Sequence, residues 1–480
     1  MDVCDSRGKR LLPWLVAIAF FMEMLDTTIL NTAVPAIAKT LGVTPLSMKS
    51  VLSSYTLSLA VFIPISSWVA DRFGTRKVFA AAIAIFTLGS FLCGISKSIH
   101  LLVACRILQG CGGALMVPVG RLTLVRAFPK AELVRTLSFV TIPSLIGPMI
   151  GPLAGGLIVG LFNWRMIFFV NIPVGLLGLY LVYHYLPNFQ ARKSEPLDII
   201  GLILFSSGIA IFSYVLEVFG EHTLSNPEII GLLAISILLL GGYGLHARSI
   251  PHPLLRLELL RIRTLRIGIL GNFITRLGAG GLPFLLPLFY QIGLGYHPIH
   301  SGLFIIPQSF ATMVIKMTMP RILTWFGYRK VLLFNTLFTG ISIFLFSTVG
   351  PETPVWIIVG QACLFGCFSS LQYTSMNTLV YADVADEDTG PANTIVSTVQ
   401  QMAMSFGVAT ASLVASFFIP DRRNASTAEI VLGIHHALIL LGGLTFLSAF
   451  GFFELRATDG ENVSHHRNKN SASSKLQKAS

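Results

Sequence analysis

Long apolar runs, each about the length of one bilayer crossing, alternate along the chain with short polar segments. A crossing helix needs about 20 predominantly apolar residues. Fourteen runs qualify, near 13–36, 49–69, 78–96, 101–124, 136–160, 166–186, 198–219, 228–246, 265–290, 300–320, 331–349, 354–380, 395–418 and 432–454. The first, fifth and ninth carry Pro or Gly towards their ends. The expected fold is an all-α integral membrane protein of fourteen transmembrane helices. Its expected parts are a cytoplasmic N-terminus (1–12), a six-helix bundle (13–186), two inserted helices (198–246), a second six-helix bundle (265–454) and a tail (456–480). The tail is rich in Ser, Lys and Asn, a composition that predicts disorder.

The basic residues test this count. Cytoplasmic loops of membrane proteins carry the excess of Lys and Arg. With the N-terminus inside, 25 of the 34 Lys and Arg fall in inside segments and six outside, namely Lys39, Lys49, Lys97, Arg165, Arg422 and Arg423. Three more, Arg106, Arg276 and Lys316, lie deep within spans, while Lys49, Arg121 and Arg266, at span edges, are counted with the adjoining loops. One missed or invented span would scramble that asymmetry, so both termini are expected in the cytoplasm. The inside loop with Asp383, Asp386, Glu387 and Asp388 lacks a basic residue and stands apart from the pattern.

Composition agrees. Hydrophobic residues make up 53% and charged residues 12%, too few charges to cover a soluble protein of 480 residues. The net charge of +12 is spread in short groups between apolar runs, not gathered on one face, which excludes nucleic-acid binding. Arg7-Gly8-Lys9-Arg10 before an apolar run resembles a signal peptide, but the run continues through Glu23 and Asp26 without a small-residue cleavage site. It reads as the first span. The six cysteines show no zinc or disulfide spacing.

The chain also repeats itself. Arg72-Phe73-Gly74-Thr75-Arg76-Lys77-Val78 is echoed 253 residues later by Trp325-Phe326-Gly327-Tyr328-Arg329-Lys330-Val331, each in the loop after the second span of a six-span unit. Parallel halves related by an axis along the membrane normal are a transporter architecture, with the substrate site at the midplane between them.

Five segments accumulate on this frame. Span one contains Leu25-Asp26-Thr27-Thr28-Ile29-Leu30-Asn31-Thr32-Ala33-Val34-Pro35, and the following loop Asp71-Arg72-Phe73-Gly74-Thr75-Arg76-Lys77. Span four carries Arg106-Ile107-Leu108-Gln109-Gly110, span five Gly147-Pro148-Met149-Ile150-Gly151-Pro152-Leu153-Ala154-Gly155-Gly156, and span six opens on Asn163-Trp164-Arg165 and reaches Asn171-Ile172-Pro173. Together, over roughly residues 10–455, these resemble the major facilitator superfamily in its fourteen-span drug:proton antiporter branch, the EmrB/QacA type, and within it the MdtD-type proteins. One departure is Ser67, where the loop motif usually has a Gly four residues before its Asp.

The resemblance implies a proton relay on the motifs that hold Asp26 and Arg106, and marks the span-five motif as that of antiporters, where tight packing is thought to block leakage. The residues carry readings of their own. Gly147, Gly151 and Gly155 recur every four positions, a stripe that lets two helices approach closely, while Pro148 and Pro152 permit a bend. Asp71, Arg72, Gly74 and Arg76 form a loop that can latch to charges at neighbouring helix ends, with Arg121 the expected partner of Asp71; a plain solvated loop is the simpler reading.

Ionisable residues within spans are functional candidates because each costs about 2.5–3.5 kcal/mol near mid-bilayer. Glu23 and Asp26, three apart, share one helix face. The repeat offset maps Glu23 onto Arg276, an acid and a base at related positions. Gln109, Asn31, Arg276 and Lys316 are the expected cavity lining; Glu217, His184 and His246, near span ends, are read as interfacial.

No Gly-x-x-x-x-Gly-Lys-Ser/Thr loop is present, so transport is expected to run on an ion gradient. The expected function is proton-coupled export of drugs or toxic amphipathic molecules by alternating access, with no enzymatic activity, cofactor or metal. The alternative is a dedicated exporter of an anionic metabolite such as a carboxylate or siderophore. Expected partners are the small-molecule substrate, protons and membrane lipid; the sequence gives no sign of a periplasmic adaptor. The expected location is the bacterial inner membrane.

Overall fold

The computed structural model describes residues 6–190, 196–219, 225–419, 426–456 and 458–464, and every regular element among them is helical. Arg192, Lys193, Arg422, Arg423 and most of the tail, with the disorder expected of it, lie outside the described residues.

Thirteen helical stretches are long and apolar enough to cross a membrane. We number them α1 (Leu11–Leu41), α2 (Pro45–Phe73), α3 (Thr75–Ile95), α4 (Ile99–Ala127), α5 (Arg135–Leu161), α6 (Met166–Tyr185), α7 (Ile199–Phe219), α8 (Asn226–Ser249) and α9 (Arg263–Gly293). The next stretch, Pro298–Thr348, has 51 residues. At 1.5 Å per residue it is about 76 Å long, enough for two crossings. It breaks at Gly327, whose φ of 72° and ψ of 162° no helix contains. Divided there, it gives α10 (298–326) and α11 (328–348), followed by α12 (Val355–Leu379), α13 (Asp386–Phe418) and α14 (Thr427–Phe452). The chain therefore crosses fourteen times, with bounds within a turn or two of those expected in all but α13, which starts nine residues early.

Gly74, between α2 and α3, has a φ of 92° and Gly327 one of 72°. Both lie where a side chain is disfavoured, and they sit at equivalent points of the 253-residue repeat. The backbone thus repeats the loop that the sequence repeats.

Helices α1–α6 pack on one another, and so do α9–α14. Between the two groups α2 lies against α13 and α5 against α10. Hydroxyls bridge both seams: Ser405 Oγ donates to the Ser53 carbonyl (3.1 Å), Ser412 Oγ to the Leu46 carbonyl (3.1 Å) and Ser309 Oγ to the Pro148 carbonyl (3.2 Å).

At the end where α1 finishes, one apolar cluster draws on both groups, joining Val34, Met48 and Phe168 to Phe289, Phe346 and Leu438. At the opposite end the clusters are separate, one around Val16, Phe20 and Phe79, another around Leu323, Leu332 and Phe452. The molecule is sealed at one end and parted at the other.

The inserted pair α7–α8 lies outside the bundle, with α7 against α2 and α13. Phe212 contacts Phe406, and Phe219 contacts Phe417. Lys49 is not a loop residue but is buried (1% exposed), its Nζ donating to the Glu217 carbonyl at 2.7 Å. His246 is likewise more than interfacial: its Nε2 meets Asp198 Oδ1 at 2.8 Å. The acidic loop acquires a physical account here. Asp388 pairs with Arg256 (2.8 Å) and Asp383 accepts from Thr264 Oγ1 (2.9 Å), so its counter-charge comes from the segment between α8 and α9.

Candidate functional site

Asp26 sits in the middle of α1 and is 1% exposed. Its Oδ2 accepts from Arg106 Nη1 of α4 at 2.6 Å. Its Oδ1 accepts from Gln109 Nε2 at 2.9 Å and from Asn171 Nδ2 of α6 at 2.8 Å. Arg106 Nη1 also donates to Gln109 Oε1 at 2.8 Å, and the guanidinium lies 4.2 Å from the centre of the Tyr55 ring. Asn171 continues to Ser90 Oγ at 3.0 Å. A charge pair this dry is worth keeping only when its remaining donors and acceptors are met; here both carboxylate oxygens are, while Arg106 Nε has no partner among the described residues.

One helical turn away, Glu23 is also buried, but its Oε2 has no hydrogen-bond partner among the described residues. Glu23 lines a cavity of about 340 Å³ between the two helix groups, on the parted side. Arg121 of α4 shares that wall; Asn377, Tyr381, Asn393 and Gln400 face it from α12 and α13 and the segment joining them. The first group thus contributes both charges, and the second contributes neutral donors and acceptors.

Behind the second wall stands Arg276 of α9. Its Nε donates to Asn272 Oδ1 at 2.6 Å and its guanidinium lies 4.3 Å from the centre of the Tyr373 ring. Asn272 Nδ2 donates to Asn377 Oδ1 (2.8 Å), which also accepts from Gln400 Nε2 (2.7 Å). Arg276 therefore reaches the cavity through a chain of amides. No carboxylate pairs with it among the described residues.

The structure brings Asp26, Arg106 and Gln109 together, and places Glu23 and Arg121 on one wall. It does not bring the expected lining residues Gln109, Asn31, Arg276 and Lys316 to that wall. Gln109 is absorbed into the Asp26 cage. Asn31 is buried in the single 3-10 turn that kinks α1, towards the sealed end. Lys316 is half-buried on α10 with no hydrogen bond or ion pair among the described residues. Arg121 is not the partner of Asp71: that carboxylate takes Arg126, Nη2 to Oδ1 at 2.5 Å, because Arg126 lies at the helix end beside the loop and Arg121 a turn and more deeper. Gly74 is held by the strand of chain after α6: Thr75 N donates to the Phe189 carbonyl (2.9 Å) and Arg76 N to Asn188 Oδ1 (3.2 Å). Arg72 offers its carbonyl to Gln190 Nε2 at 2.7 Å.

The glycine stripe of α5 has a partner on each side. Cβ atoms at Gly147, Gly151 and Gly155 would run into Met24, Thr28 and Ile29 of α1. Pro148, Pro152 and Gly156 face α10: Pro148 accepts from Ser309, the Pro152 carbonyl abuts Gly302, and Gly156 abuts Pro298. One helix thus binds α1, which carries Asp26, to the other half.

Sequence reasoning missed Tyr55, Asn171, Asn272, Tyr373, Asn377 and Gln400. They are neutral, and an apolar run with one Asn or Tyr gives no sign of which face it takes. Only Asn171 had a signal, its place in the span-six motif.

Two six-helix groups closed at one end over a charged mid-membrane centre define a transporter built for alternating access. The comparisons with known proteins give the same class. The model of the Major Facilitator Superfamily matches residues 16–408 and, in a second match, 268–477. Proteins named MdtD, for multidrug resistance, from Escherichia coli O6:K15:H31 and Shigella flexneri serotype 5b are 38% identical over 471 residues, covering 98% of this chain and 99% of each relative. Among solved structures, a POT family transporter in complex with 5-aminolevulinic acid aligns with a TM-score of 0.66 at 15% identity, over 95% of this chain and 97% of that one. A D-xylose-proton symporter aligns with a TM-score of 0.64 at 15% identity, over 93% and 98%. At such identity these show the fold alone. The chain belongs to the Major Facilitator Superfamily and is a multi-pass membrane transporter of its MdtD-like branch.

Proposed function

We propose that the protein is a proton-coupled antiporter of a bacterial inner membrane, termini in the cytoplasm, that exports drugs or other toxic amphipathic molecules. The observation that carries this reading is the pairing of two unequal carboxyls on one helix face. Asp26 is engaged by Arg106, Gln109 and Asn171; Glu23, a turn closer to the parted end, is buried with an oxygen unmatched. A lone buried carboxylate is costly and is relieved by taking up a proton. Protonation of Asp26 would remove the charge that Arg106 holds, freeing α1 from α4. Since α5 joins α1 to α10, that release bears directly on the seam between halves. The latch at Asp71–Arg126 and the α2–α3 loop is the element such a transition would break and remake.

With the N-terminus inside, the parted end faces the cytoplasm and the cavity is loaded from there. The purified protein in liposomes, given a proton gradient and a fluorescent cation such as ethidium, tests the reading: gradient-dependent accumulation supports it, and movement indifferent to the gradient contradicts it.

A second reading, export of an anionic metabolite, is favoured by Arg276, a half-buried cation matched, among the described residues, only by the Asn272 amide and the Tyr373 ring. Comparing metabolites in spent medium from cells with and without the gene, beside a drug-susceptibility panel, separates the two.

A further inference from the structure

At the parted end of the molecule, where α8 finishes and α9 begins, a cavity of about 610 Å³ opens beside the bundle. Arg248, Arg261 and Arg266 line it together with Glu258, over a floor that includes Leu257 and Leu260. Its level is set by its walls. Arg248 is in the last turn of α8, Arg261 ends the 3-10 segment Leu257–Arg261, and Arg266 is in the first turn of α9. All three therefore stand where hydrocarbon gives way to headgroups.

Four arginines of this end have carboxylate partners. Arg126 has Asp71, Arg256 has Asp388, Arg263 has Asp459, and Arg266 has Glu454. Arg248 and Arg261 are exposed and have no hydrogen bond or ion pair among the described residues. Glu258, on the same wall, pairs with neither. Two unpaired guanidiniums thus line one opening, and with Arg266 they outnumber its one carboxylate, Glu258.

A second feature continues downward from that opening. Gly241, Gly244 and Arg248 follow one another at helical spacings of three and four, so they share a face. Gly244 lines the cavity, and Cβ atoms at Gly241, Gly242 and Gly244 would meet nothing within 4 Å. These glycines are not spent on helix packing, in contrast to those of α5. They leave a furrow on the outer surface of α8, flanked by Leu238 (72% exposed) and Leu245 (68% exposed).

We propose that this pocket holds the phosphate of an anionic phospholipid between Arg248 and Arg261, with an acyl chain laid in the furrow of α8. Guanidinium is suited to phosphate, since its planar fork offers two parallel donors, and basic pockets between membrane helices at the cytoplasmic level bind anionic headgroups. The bound lipid would tie α8 to the start of α9, the junction between the inserted pair and the second half. The inference concerns lipid, and stands or falls apart from the export reading.

The full-length protein is purified in detergent, exposed to equal amounts of phosphatidylglycerol and phosphatidylcholine, and examined by native mass spectrometry and thermal melting. The wild type is expected to retain phosphatidylglycerol over phosphatidylcholine and to melt higher in its presence. Removing both charges, in Arg248→Gln/Arg261→Gln, should cut retention by about tenfold, and Arg248→Lys/Arg261→Lys should restore most of it. Gly244→Leu, which fills the furrow and spares every charge, should weaken retention severalfold and keeps the test open if the double variant fails to fold. Inorganic phosphate should leave the melting temperature unchanged. Equal retention of both lipids, undiminished retention in both the double Gln and Gly244→Leu variants, or a phosphate effect as large as that of the lipid would overturn the proposal.

Discussion

The two halves share a loop, down to a glycine of positive φ in each copy, yet their centres are built from different chemistry. In α1–α6 an acid and a base are bonded in a dry cage, with a second acid beside them. In α9–α14 the base Arg276 stands among Asn272, Asn377, Gln400 and Tyr373, none of which carries charge at neutral pH. A proton can switch the first arrangement, because it cancels one partner of an ion pair; it has nothing to cancel in the second. Under the proposed function, energy coupling belongs to the first half, and the second is free to shape what is carried.

The largest effect that sharpens this comparison is expected from Arg106→Gln. Breaking a buried pair by removing one partner costs about 3–5 kcal/mol, so proton-driven export should fall by about a hundredfold or more in liposomes. Transport at the wild-type rate would mean that the cage is only structural. Arg276→Gln addresses the other half. It should lower export of an organic acid by about tenfold, the worth of one charge-assisted hydrogen bond, and leave export of a lipophilic cation within about twofold. Equal loss of both would make Arg276 a packing residue. Glu23→Gln should act more mildly, moving the pH optimum of export and changing its maximal rate only a few-fold; an unmoved pH profile would remove Glu23 from the proton path.

The smallest effect lies outside the bundle and serves as a contrast, an acid bonded for stability alone. Burial by itself would raise the pKa of Asp198, but hydrogen bonds from His246 and from the amides of Gly201 and Leu254 outweigh it and hold the carboxyl below its ordinary value. A carboxylate so lowered stabilises the fold above its ordinary range near about 4, and that contribution is lost as pH falls through the lowered value. Asp198→Asn should therefore cost about 1–3 kcal/mol at neutral pH, read as a lower melting temperature in detergent, with the gap closing in acid and export little changed. A gap that widens in acid would contradict the assignment.

Most of this fold can be read from the sequence because the bilayer imposes a length and an interior that hydropathy registers directly. The charges inside spans, Glu23, Asp26 and Arg106, stand out for the same reason: each is expensive where it lies. What the sequence withholds is pairing across helices. Asp71 could have reached Arg121 or Arg126, and only the depth of each along α4 decides between them. Gln109 and Asn31 belong to motifs of the right spans, but the rotation and kink of those helices turn them into the cage and the sealed end. The acidic loop 383–388 looked unbalanced because its counter-charge, Arg256, is 132 residues away in the chain. Lys316 remains without an account: nothing among the described residues explains a half-buried lysine on α10.

The claim on which the rest depends is that the Asp26 carboxylate couples the proton to the cargo. The direct test is Asp26→Asn, purified, placed in liposomes, and compared with the wild type for uphill accumulation of ethidium under an imposed proton gradient and for downhill exchange without one. Asn keeps the size of the side chain and can keep part of the cage, but cannot gain or lose the proton. Loss of accumulation with exchange retained is the predicted result. Accumulation against the gradient at the wild-type level would contradict it.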